Sequence, residues 1–284
     1  MNAYPDNPGS LPASLESAES GQPAETAGHP EIGLAPIAPA PVDPAWNGLD
    51  VIRLTVIGIV SLFASVFAVL LIAHWWIHPH PPLASLARIP LIAVAGQALS
   101  YLLLLAYMYV LVTRERRRPD FLAAIHWNWP RSVAPYALSG LALSVALQIL
   151  AHFLPVPKNL PIDTFFRTPT EAWVLTIFGV TLAPLMEELY FRGFLYPVLA
   201  RGIGMTAAIL ISALAFALLH GSQLLFSWGP VLVIFLVGVV LAMVRAYKNS
   251  VAAGLVIHIV YNGTISALMF AGTGGFRHLE KLNQ

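Results

Sequence analysis

Residues 172–200 read AWVLTIFGVTLAPLMEELYFRGFLYPVLA. Such a run can cross a bilayer, which takes about 20 mostly apolar residues. It is apolar except at Glu187, Glu188 and Arg192. Ionisable side chains inside a span are costly and by default point to a functional site. This one stretch therefore places the fold in lipid and a candidate chemistry within it.

Further apolar runs lie on both sides. Residues 54–77 carry no formal charge and end in His74-Trp75-Trp76. Residues 89–112 form a second run, closed by Arg114, Arg116, Arg117 and Arg118, and residues 133–154 a third. Residues 203–244 are uncharged and too long for one span, with a break expected between His220-Gly221-Ser222 and Trp228-Gly229-Pro230. Residues 251–271 form the last run. The expectation is an all-α, polytopic transmembrane helix bundle of about seven to eight spans, covering residues 49–276, with a short tail at 277–284. Composition agrees: 57% of the residues are hydrophobic and 10% charged, against roughly 25% charged in a soluble domain. The chain has no cysteine, so disulfides and thiolate metal sites are excluded.

Residues 1–48 are rich in Pro, Ala, Ser and Gly and carry acidic residues but no Lys or Arg. They lack the basic start and apolar core of a secretory signal. They read as a disordered acidic tail, because such a composition buries too little apolar surface to offset chain entropy. The basic loops set the orientation. The 113–132 loop, with Arg114, Arg116, Arg117, Arg118 and Arg131, groups with Arg53, Arg192, Arg201, Arg245 and Lys248. Arg88, Lys158, Arg167, Arg277 and Lys281 fall on the other side. This bias predicts a cytoplasmic N-terminus on an integral membrane protein.

Three polar groups fall inside separate spans. Glu188 and Arg192 are i,i+4 neighbours on one helix face, whereas Glu187 points about 100° away. Glu188 and Arg192 are expected to form an internal ion pair, leaving Glu187 for chemistry. Phe216 and His220 share a face, as do His258 and Asn262. Each group alone could be packing or interhelical glue. Together, carboxylate, two imidazoles and an amide are the working parts of a hydrolytic site: a Glu can take a proton from water, and Asn and His can donate to an oxyanion. Counting residues along straight helices puts Glu187 and His220 at similar depth and His258 about 10 Å shallower.

The motifs Glu187-Glu188-x-x-Phe191-Arg192-Gly193, Phe216-x-x-x-His220 and His258-x-x-x-Asn262, in this order, resemble those of the CPBP family. These are the CAAX-processing and bacteriocin-processing membrane endopeptidases, also called Abi, to which type II CAAX prenyl endopeptidase belongs. The resemblance covers about residues 130–270. It implies peptide-bond hydrolysis on a membrane-associated, in some members lipid-modified, peptide or protein. By motif match Glu187 would activate water with His220, His258 and Asn262 would stabilise the oxyanion, and Glu188, Arg192 and Phe216 would support the site.

Glu187, His220 and His258 could alternatively hold a zinc ion with water in the fourth position, although no His-Glu-x-x-His helix is present. Both the metal-free and the metal-dependent reading stand on sequence grounds, with the metal-free one preferred. His74, His78 and His80 sit among prolines and tryptophans and read as an interface anchor, and Trp127 and Trp129 as interfacial belt residues. No nucleic-acid motif is present. A proton-coupled carrier and a non-catalytic scaffold or immunity factor on the same fold are the competing readings. The absence of a clear internal repeat speaks against the carrier.

Overall fold

The computed structural model describes residues 43–157 and 160–280. The expected tail at 1–48 lies outside these up to residue 42, as do Lys158 and Lys281. The described elements are α1 (Gly48–Trp76), the short α2 (Leu83–Leu86), α3 (Pro90–Val110), the short α4 (Phe121–Ala124), α5 (Ala134–His152), α6 (Pro169–Val180) and α7 (Leu182–Glu187). After α7 a π-helical segment (Glu188–Leu195) leads into α8 (Tyr196–Ile203), followed by α9 (Met205–Leu219), α10 (Trp228–Lys248) and α11 (Val251–Gly272). No strand occurs among the described residues.

The chain is a polytopic helix bundle. Six helical stretches are long and apolar enough to cross a membrane, and α9 is a shorter apolar helix. These seven correspond to the expected runs, with no eighth among the described residues. Large apolar side chains such as Phe63, Leu138 and Ile149 stand exposed along the spans. Water would not tolerate so much contiguous apolar surface, whereas lipid does.

Local chemistry sets the helix ends. Asn47 caps α1 in a reciprocal capping box with Asp50, Thr168 caps α6 ahead of Pro169, and Ser250 caps α11. Each supplies a partner to an otherwise orphaned N–H. Pro184 has no N–H to give the Val180 carbonyl, and α6 ends at Val180. At 15 residues, α9 is only about 22 Å long at 1.5 Å per residue. That is shorter than a hydrocarbon core of about 30 Å, so it ends at His220 within the bundle rather than beyond it.

Helices α1 and α3 pack together, as do α9 and α10, and α5 lies along α11. The α5–α11 crossing depends on Gly140, where an added Cβ would lie 2.6 Å from the Ile257 carbonyl oxygen. Small residues permit such close approach in membranes. The segment before α1 is fixed well ahead of residue 48. Trp46 is fully buried and donates its indole N–H to the Phe194 carbonyl at 3.1 Å. Arg201 donates to the carbonyls of Pro44 and Trp46. Residues 43–47 are therefore part of the folded body, which moves the expected tail boundary; the anchor is an aromatic residue that composition averages hide. At the other end of α1, His74 Nδ1 donates to the Pro81 carbonyl at 2.8 Å, and the His80 ring packs at a tilt against those of His74 and His78, a self-contained cluster.

Candidate active site

The two glutamates sit where the chain changes from α to π winding, Glu187 ending α7 and Glu188 opening the π segment. Wider winding of this kind recurs at functional sites because it re-aims side chains and frees backbone carbonyls. The Arg192 carbonyl accepts from Arg245 Nε at 3.1 Å. Arg192 and Glu188 remain in contact: Nη1 donates to Oε1 at 3.0 Å, with both side chains essentially fully buried. Arg192 Nη2 also donates to the Gly238 carbonyl at 3.1 Å, tying the pair to α10. The expected ion pair between Glu188 and Arg192 is thus present.

The two histidines converge on the other glutamate. His220 Nε2 lies 3.6 Å from Glu187 Oε1, and His258 Nε2 lies 3.6 Å from Oε2. Both separations exceed a direct hydrogen bond and suit a group shared between them. The Nδ1 atoms are held from behind, His220 by the Phe216 carbonyl at 2.9 Å and His258 by Glu188 Oε1 at 3.0 Å. A ring nitrogen facing a carbonyl or carboxylate carries the proton, which leaves Nε2 to face the site. The straight-helix depth estimate for His258 fails here. The span carrying Glu187 is broken at Thr181 and wound wider over 188–195, so His258 reaches the same level as Glu187.

Phe216 is the hub of the packing. Its ring meets those of Phe191, His220 and His258 at 5.2, 4.8 and 5.8 Å, and the Arg192 guanidinium lies 4.7 Å from its centroid. Such a contact is favourable and stronger when desolvated. Asn262 donates Nδ2–H to the Gly179 carbonyl at 2.8 Å. An amide nitrogen has two hydrogens, so one remains to serve the site. His220, His258, Asn262 and Phe216 line a common cavity of about 480 Å³.

Sequence reasoning missed two supports. Gly254 lies one turn before His258, and a Cβ there would come 2.7 Å from Glu188 Oε2; the i,i+4 spacing to His258 was the available signal. Arg245 counted only as a topology charge, yet it is buried and bound to the π segment. As to a metal, no group of three or more His, Asp or Glu side chains among the described residues is arranged to hold one. Each imidazole Nε2 lies 3.6 Å from an oxygen of Glu187, and no step below runs through an ion.

Residues 169–264 match the family of type II CAAX prenyl endopeptidase Rce1-like proteins. The match bears out the resemblance carried by the three motifs. No curated protein and no solved structure matches the chain. The Rce1-like region starts at the first residue of α6 and ends in α11 just past Asn262, so it contains every residue of the cluster. At the level of the family, it supports a CAAX-protease-like intramembrane endopeptidase.

Proposed function

We propose that the chain hydrolyses a peptide bond of a membrane-associated peptide or protein by glutamate-activated water. The observation that carries this is the pair of imidazole Nε2 atoms, each 3.6 Å from one oxygen of Glu187. A water between Glu187 Oε1 and His220 Nε2 can donate to both and keep a lone pair for the scissile carbonyl. As its oxygen bonds to the carbonyl carbon, one proton passes to Glu187. The tetrahedral intermediate collapses as that proton moves to the leaving nitrogen, giving a carboxylate-side and an amine-side product. The oxyanion takes hydrogen bonds from the free Asn262 N–H and from an Nε2–H on His258. With its Nδ1–H held by Glu188, an imidazolium at His258 balances the charges of Glu187, Glu188 and Arg192.

The test is cleavage of a prenylated CAAX peptide, or of substrates captured from membranes, by Glu187→Gln. We expect a fall of about 10²- to 10⁴-fold, the range for loss of a positioned acid–base group, with unchanged thermal unfolding. Wild-type turnover in this variant would overturn the assignment. A biological phenotype that survives the substitution would favour a scaffold or immunity factor instead. Metal analysis of active protein is the second test: activity should persist after chelation, and stoichiometric zinc lost together with activity would overturn the metal-free route.

A further inference from the structure

The cavity beside the cluster is walled mainly by apolar side chains such as Leu154, Val233 and Ile265. Apart from the site residues and the Tyr261 hydroxyl, Gln148 on α5 is the only hydrogen-bonding side chain in its described lining. Gln148 is exposed, and its carboxamide has no hydrogen-bond partner among the described residues. It stands four residues from the end of a membrane-spanning helix. An exposed carboxamide without a protein partner has its acceptor and both donors available to a bound molecule. The neighbouring Leu147 is buried against α10 and α11, which fixes the helix face and aims Gln148 into the cavity.

We propose that Gln148 is a positioning residue that grips the main chain of the bound substrate beside the scissile bond. This rests on the endopeptidase reading above. A carboxamide offers one acceptor and two donors, the complement of a peptide group's N–H and C=O. An extended substrate lying along the apolar wall presents such groups about every 3.3 Å. Recognition through the main chain is indifferent to side-chain identity, while the surrounding apolar wall accepts a hydrophobic side chain or an attached hydrocarbon. The residue holds the peptide in register with Glu187 and Asn262 without touching the reacting atoms.

The full chain in nanodiscs, with both faces accessible, should be assayed on a quenched fluorescent prenylated CAAX peptide. Gln148→Leu should raise KM about tenfold, the loss expected for a hydrogen bond or two, with kcat changed by less than about threefold and thermal unfolding unchanged. Gln148→Glu, which keeps only acceptors, should fall between. An unaltered KM, or a fall in kcat alone, overturns the proposal. Binding of the same peptide is measured separately on Glu187→Gln and on Glu187→Gln/Gln148→Leu. Tighter binding with Gln148 present but no wild-type cleavage overturns the endopeptidase reading and leaves the grip standing. Cleavage with equal binding overturns the grip alone, and a peptide neither bound nor cleaved overturns both.

Discussion

A methyl group at Gly254 would lie 2.7 Å from Glu188 Oε2, the carboxylate oxygen that has no hydrogen-bond partner among the described residues. The other oxygen of that carboxylate is bonded by both Arg192 and His258. The carboxylate therefore cannot retreat without breaking one of those contacts. Gly254→Ala should destabilise the protein by about 1–3 kcal/mol, as overpacking of a closed interior does. It should also lower kcat by about tenfold, because a tilted His258 ring no longer faces the oxyanion and misplaced catalytic groups are costly. Thermal unfolding and turnover measured side by side check this. A fully active Gly254→Ala would show that the Glu188–His258 contact is unimportant for the reaction.

The π segment carries the support of the site, and its Glu188–Arg192 pair differs in kind from a surface ion pair. Removing one partner leaves an uncompensated buried charge, at a cost of about 3–5 kcal/mol. Arg192→Met alone should therefore lower the unfolding temperature strongly. The double variant Glu188→Gln/Arg192→Met should recover much of that stability, since a buried pair replaced by neutral groups of similar volume is often close to neutral. It should not recover activity, because His258 Nδ1 loses its carboxylate. Equal stability of the single and double variants would refute the pairing. This segment also marks where sequence reading reaches its limit. Hydropathy and spacing gave the spans, the Glu188–Arg192 pair, and the shared faces of Phe216 with His220 and His258 with Asn262, because these depend on local periodicity. The π winding after Glu187 was not legible, since it depends on tertiary partners such as Arg245 at the Arg192 carbonyl. The same holds for the level of His258, which the count along straight helices misplaced, and for the burial of Trp46, which a window of Pro and Ala conceals.

At the scale of the whole molecule, the ends of the helices decide which side of the membrane the substrate comes from. The cavity is lined at Leu154, Leu160, Leu224 and Gly229, beyond the ends of α5 and α9 and at the start of α10. The arginine-rich stretch 114–131 joins the opposite ends of α3 and α5. If basic loops face the cytoplasm, the cavity opens away from it. Because the chain has no cysteine, single cysteines report accessibility without background. Leu225, 56% exposed beside the cavity, and Leu122, 50% exposed on the arginine-rich side, are suitable positions. In intact cells a membrane-impermeant maleimide should label Leu225→Cys and leave Leu122→Cys unlabelled until the membrane is opened. In that orientation a peptide anchored in the outer leaflet reaches Glu187 directly, whereas a lipid-modified cytoplasmic protein would have to cross the bundle. The reverse labelling pattern would overturn the cytoplasmic N-terminus and turn the cavity toward cytoplasmic substrates.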